Sequence, residues 1–127
     1  MLGRITIALV IATTGAVVAA DLSGAWRVRT NFEWLAALDC TFTLTANAPG
    51  SCRVGDRALE LREVATSNGD ASWSMDAEGS APGGGTVRYL FTGKFEDDST
   101  IRGKVLGRDL SGRFPDQSGN FSATRTR

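Results

Sequence analysis

Cys40-Thr41-Phe42-Thr43-Leu44-Thr45 alternates apolar and hydroxyl-bearing side chains at every step. A period of two is that of a half-buried β-strand, whose successive side chains leave opposite faces of the sheet. Upstream, Trp26, Val28 and Thr30 alternate with Arg27 and Arg29 in the same way. Downstream, the pattern predicts further short strands at 52–54, 58–64, 71–75, 86–91, 101–106 and 119–125, about eight in all. Turn signals separate them: Asn47-Ala48-Pro49-Gly50, Gly55-Asp56, Asn68-Gly69-Asp70, Gly83-Gly84-Gly85 and Glu96-Asp97-Asp98-Ser99. Asn68-Gly69 is the sharpest, because a two-residue type I′ hairpin needs positive φ at both central positions. Sequential hairpins in one sheet leave two exposed edges unless the sheet closes, so the expected fold is all-β, a small antiparallel up-and-down barrel. A sandwich of two small sheets is the alternative. Gly93, Gly103 and Gly119 fall in or beside strand patterns, where a tightly curved barrel needs bends and close approaches.

Composition narrows the function. The chain has 127 residues, 14 basic and 14 acidic side chains, two cysteines and no histidine. That length fits one domain, and the missing histidine removes the commonest general base and metal ligand. Balanced charge argues against nucleic acid as a partner, since that affinity comes mainly from Lys and Arg neutralising phosphates. No Ser-x-x-Lys spacing involves Lys94 or Lys104, and Glu60 and Glu63, three apart on one strand, fall on opposite faces. Neither enzymatic activity nor a cofactor nor a metal is expected. Asp97 and Asp98 read as a hairpin turn, with no spaced set of oxygen ligands around them.

Residues 1–20 read as a cleaved secretory signal: a basic start at Arg4, an apolar run from Ile5 to Val18, and small residues Ala19 and Ala20 before a cut at Asp21. The apolar run is shorter than the roughly 20 residues that span a bilayer. Residues 21–127 then form a single domain, periplasmic or secreted, with no integral membrane segment after cleavage. In an oxidising compartment the two cysteines, Cys40 and Cys52, are expected to form a structural disulfide worth about 3 kcal/mol on the chain-entropy model.

The two ends of this domain carry a resemblance. Asp21-Leu22-Ser23-Gly24-Ala25-Trp26 opening the first strand, and Gly119-Asn120-Phe121-Ser122-Ala123-Thr124-Arg125 closing the last, resemble the ends of a lipocalin-like, calycin-type small barrel. The resemblance implies that Gly24 and Trp26 on the first strand are met by Arg125 from the last, with Arg127 the other possible partner. A guanidinium stacked on the indole then caps one end of the barrel. The run Tyr89-Leu90-Phe91-Thr92-Gly93-Lys94 with Thr100-Ile101-Arg102-Gly103-Lys104-Val105 is similar to one found in small exported bacterial domains of unassigned function. The chain is shorter than a typical lipocalin and has no counterpart of the long lipocalin helix. Ser23-Gly24-Ala25-Trp26 also resembles the start of exported bacterial inhibitors of zinc metalloproteases, which insert an N-terminal tail into the protease cleft.

Asn31-Phe32-Glu33-Trp34-Leu35-Ala36-Ala37-Leu38 breaks the strand period and brings Phe32, Trp34, Leu35 and Leu38 to near-helical spacing. These four are the candidate ligand-binding residues, on a lid over an open barrel mouth. The competing reading is a short helix or wide hairpin that plugs the barrel with its own side chains. An eight-strand barrel is just wide enough to be filled, here by Trp26, Phe42, Trp73, Tyr89 and Phe121. Charge divides unevenly: residues 21–98 carry 7 basic and 12 acidic groups, residues 99–127 carry 6 and 2. Arg102, Lys104, Arg108 and Arg113 therefore form either a patch for an acidic partner or the solvated outer faces of late strands. Taken together, the residues predict an exported, non-enzymatic binding module. Its expected partner is a small apolar ligand at the barrel mouth or, alternatively, an exported protein bound as an inhibitor binds it.

Overall fold

A computed structural model describes residues 21–45 and 50–126. The predicted signal, most of the Asn47-Ala48-Pro49-Gly50 turn, and Arg127 lie outside the described residues. Nine strands follow in chain order: β1 (Gly24–Phe32), β2 (Asp39–Leu44), β3 (Ser51–Val54), β4 (Arg57–Glu60), β5 (Arg62–Ser67), β6 (Asp70–Ala77), β7 (Val87–Asp97), β8 (Thr100–Asp109) and β9 (Gln117–Arg125). All pair antiparallel in one sheet, ordered β4-β3-β2-β1-β9-β8-β7-β6-β5. The result is a nearly closed barrel. Every neighbour is a sequential hairpin except β1 and β9, which pair from Gly119↔Phe32 to Arg125↔Trp26. Among the described residues no helix is long and apolar enough to cross a membrane.

The barrel has a seam between β4 and β5, which are consecutive in sequence yet unpaired at the two edges of the sheet. The sequence pattern reads 58–64 as one strand, because Leu59 and Leu61 keep the inward parity. The chain breaks there because Leu61, 1% exposed, turns into the core and donates its N–H to the Gly50 carbonyl at 2.8 Å. Glu63 then adopts φ 55°, and a bulge shifts the β5–β6 register between Arg62 and Ala65. Glu60 and Glu63 thus sit on different strands, both exposed. Higher up the seam, Arg57 Nη2 donates to the Glu78 carbonyl at 2.6 Å.

Inward parity fills the interior with aromatic rings. Trp73 stacks on Phe91 (centroids 5.0 Å apart, planes at 12°) and meets Phe42 and Phe121 edge-on at 5.7 and 5.4 Å. Trp26, Val28, Met75, Ile101 and Val105, each exposed by no more than 1%, complete the core. The tight curvature depends on Gly103, opposite Gly93 in the β7–β8 ladder: a Cβ on Gly103 would run into the Thr92 carbonyl and the Gly93 Cα. The Asn68-Gly69 turn has φ of 54° and 83°, the type I′ signature. Cys40 and Cys52, with Cα atoms 5.4 Å apart, form a disulfide that ties β2 to β3.

The turns gather at two poles and alternate between them except at the break between β4 and β5, which run in the same direction. At one pole, Arg125 lies over Trp26, its guanidinium carbon 4.3 Å from the ring centroid. Arg125 Nε donates to the Asp98 carbonyl at 2.8 Å, Nη1 to Ser23 at 2.5 Å and Nη2 to Asp21 at 3.0 Å. Below it, Trp26 Nε1 donates to the Leu22 carbonyl at 2.9 Å. Gly24, at φ 101°, leaves the space, since a Cβ there would lie 2.9 Å from Arg125 Nη1. One guanidinium thus satisfies three carbonyls and covers an aromatic face. Arg125→Ala is expected to cost about 2 kcal/mol by urea denaturation. Arg125→Lys should recover less than half of that, because an ammonium lacks the planar fork; full recovery by lysine would show that charge alone holds this pole.

Candidate functional site

The opposite pole carries the loops 33–38, 55–56, 78–86 and 110–116. Residues 33–38 form no helix. Their geometry is set at the exit by Thr30, 6% exposed, whose N–H donates to the Leu38 carbonyl at 2.9 Å while its Oγ1 accepts from the Leu38 N–H at 2.7 Å. That clamp forces a wide bend, turning Leu38 inward and throwing Trp34 out to 77% exposure. The near-helical spacing of the apolar residues therefore reflects a bend with one buried and one projecting side.

The four candidate residues separate. Leu35 and Leu38 line a hollow of about 300 Å³ with Ala36, Ala37, Val54, Arg57, Leu59, Ala77, Ser80 and Tyr89. It lies at the mouth of the barrel beside the seam, where β4 passes near β6 without pairing. Trp34 instead lines an adjoining cleft of about 130 Å³ with Ala81, Pro82, Phe114 and Pro115. Leu35 borders both spaces and packs so closely on Gly107 that a Cβ there would lie 2.5 Å from its Cδ1. Phe32 lines neither; its ring tilts against Tyr89 at 6.0 Å.

Two residues of the hollow escape a reading of the sequence as a site. Arg57 stands in the Gly55-Asp56 turn region, and Tyr89 reads only as core filler. The structure buries the Tyr89 ring to 4% exposure beside the hollow. Burial pushes the Tyr89 hydroxyl's pKa up, and the positive charge of Arg57 acts on it in the opposite direction. Their sharing of one hollow depends on the seam, which no local pattern announces.

The cleft is scaffolded by Asp109, 8% exposed. Its carboxylate accepts from Ser111 Oγ at 2.8 and 2.9 Å and from the backbone N–H groups of Ser111, Arg113 and Phe114 at 3.1 Å each. These bonds hold Phe114, 41% exposed, at the rim opposite Trp34. The Ser111 hydroxyl first, and then the backbone N–H groups against the opposing effect of burial, hold the Asp109 pKa below the usual carboxylate value. Because the folded pKa is depressed, its contribution is complete above the unfolded value of about 3.9 and is lost as pH falls through the folded pKa. The amides of Ser111, Arg113 and Phe114 should therefore keep their shifts from pH 7 to 5 and lose dispersion only below about pH 4, as an NMR pH titration would read.

The basic residues of the last strands are mostly matched. Arg102 pairs with Glu96 at 3.0 Å and Arg108 with Asp116 at 3.1 Å, while Lys104 Nζ donates to Asn120 Oδ1 at 2.9 Å. Such exposed pairs contribute about 0–1 kcal/mol each and leave little concentrated charge for an acidic partner. The segment before Trp26 is fastened down, with Leu22 3% exposed and the Asp21 carbonyl taken by Arg125, so residues 21 and 22 do not project as a tail. Comparison with family models, with curated proteins and with solved structures finds no match to this chain.

Proposed function

We propose that the chain is an exported, non-enzymatic binding module of lipocalin-like type, taking a small apolar ligand at the mouth of its barrel. One observation carries this reading: a hollow of about 300 Å³, walled mainly by Leu35, Leu38, Val54, Leu59 and Ala77, stands open beside the seam, next to an interior occupied by buried aromatic side chains. Ligand sites begin at about this size. The disulfide is in keeping with export, and the Gly24, Trp26 and Arg125 cap supports the lipocalin-like assignment. The lumen of a typical ligand-carrying barrel is here taken up by Trp73 and its neighbours, so the ligand sits at the mouth and not in the centre.

The test is an NMR titration with 1-octanol. Saturable shifts confined to Leu35–Leu38, Leu59, Ala77 and Tyr89, abolished when Ala77→Phe or Ala37→Trp fills the hollow, are expected. Shifts scattered over the surface, or unaffected by either variant, overturn the reading.

A second reading, a protein partner, is favoured by the exposed apolar rim of Trp34, Phe114 and Leu110, at 77%, 41% and 44%. An exposed tryptophan beside a small cleft is the type of residue that dominates protein interfaces. Trp34→Ala separates the two: it removes partner binding while leaving octanol binding in the neighbouring hollow intact.

A further inference from the structure

Resting on the small-ligand reading of the hollow, we infer that its occupant is an amphiphile with an apolar body and a carboxylate head, the head held by Arg57 and Tyr89. The walls are apolar, yet every polar side chain among the lining residues is a donor: the Arg57 guanidinium and the hydroxyls of Tyr89 and Ser80. No acidic residue lines the space. Among the described residues Arg57 forms no ion pair, and only its Nη2 is engaged, by the Glu78 carbonyl, which fixes the guanidinium at the seam. The Tyr89 hydroxyl has no hydrogen-bond partner among the described residues, and Tyr89 and Arg57 line the same hollow.

A guanidinium and an uncommitted hydroxyl lining one hollow favour an anion, because charge-assisted hydrogen bonds are the stronger ones and the planar fork matches a carboxylate. An ammonium head in the same place would face an unmatched like charge. A phosphate, with more oxygens and more charge, asks for more donors than one guanidinium and two hydroxyls supply. Size follows from the volume: at about 30 Å³ per water-sized group, the hollow holds about ten non-hydrogen atoms. That is the size of a medium-chain or small aryl carboxylate, well short of a long acyl chain.

Octanoate, 1-octanol and octylammonium share one body and differ in the head, so their affinities, measured by calorimetry at pH 7, isolate the head group. Octanoate is expected to bind at least tenfold more tightly than octanol, and octylammonium more weakly than octanol. Arg57→Gln should bring octanoate down to the level of octanol without changing octanol itself, Arg57→Lys should retain part of the preference, and Tyr89→Phe should weaken octanoate severalfold with its ring packing kept. Equal binding of octanoate and octanol, or a preference that survives Arg57→Gln, overturns the carboxylate head while leaving the small-ligand reading in place. Failure of all three to bind overturns both.

Discussion

Truncating Trp73 to alanine is expected to lower the unfolding free energy by about 3–5 kcal/mol, a large share of what a domain of this size possesses. The ring is the hub of the interior, touching Phe42, Phe91 and Phe121, and the rigid strands on either side of it cannot collapse into the space it leaves. Trp73→Phe should behave differently. The indole Nε1 is buried without a hydrogen-bond partner among the described residues, and an unsatisfied buried donor costs about 1–3 kcal/mol. Phenylalanine removes that donor together with part of the volume. The two effects oppose, and a net change of at most about 1 kcal/mol is expected. Urea denaturation of both variants decides the matter: if phenylalanine is as damaging as alanine, the indole N–H is contributing a bond and the hub is polar as well as aromatic.

Removing the disulfide ranks next. Cys40→Ala with Cys52→Ala releases a cross-link between residues 12 apart in sequence, and a loss of about 3 kcal/mol follows from the loop-closure term. Location adds a local effect. β3 and β4 are the last two strands on their side of the seam, and the ladder between β2 and β3 is short, with Thr41↔Arg53 its paired position. Without the cross-link this hairpin is held mainly by Leu59 and the adjoining Leu61 in the core. Hydrogen exchange at β3 and β4 should therefore accelerate beyond the global change, and the hollow, which takes Val54, Arg57 and Leu59 from that hairpin, should lose octanol affinity. Uniform acceleration over all nine strands would mean that the bond acts only on the unfolded chain.

The period of two made most of the strands legible, because Trp26, Val28, Cys40 and Phe42 face the core in unbroken alternation and Asn68-Gly69 can turn in only one economical way. The ninth strand was hidden. Leu59 and Leu61 preserve the parity across the break, and the left-handed backbone at Glu63 has no signature in a residue that adopts it under tertiary constraint. The same break governs how much of the site could be read. Leu35 and Leu38 were visible as apolar residues outside the strand pattern, whereas Arg57 and Tyr89 line one hollow only because two strands adjacent in sequence fail to pair. Trp34 illustrates the reverse case: an aromatic at helical spacing from its neighbours, directed outward by a clamp formed at Thr30.

The pairing of β1 with β9 bears on how the chain folds. It is the one ladder that joins distant parts of the sequence, and at its end Arg125 reaches the carbonyls of Ser23 and Asp21, so the two ends of the barrel lie side by side. Folding must therefore close a loop of nearly the whole domain before that ladder can form, the kind of distant contact that slows β-proteins. Yet the strand order is a circle cut between β9 and β1 in sequence and between β4 and β5 in space. A circular permutant that joined the ends and opened the chain at the seam would begin at β5 and finish at β4, with every ladder a local hairpin. The native gene order imposes a kinetic penalty that the architecture itself does not require.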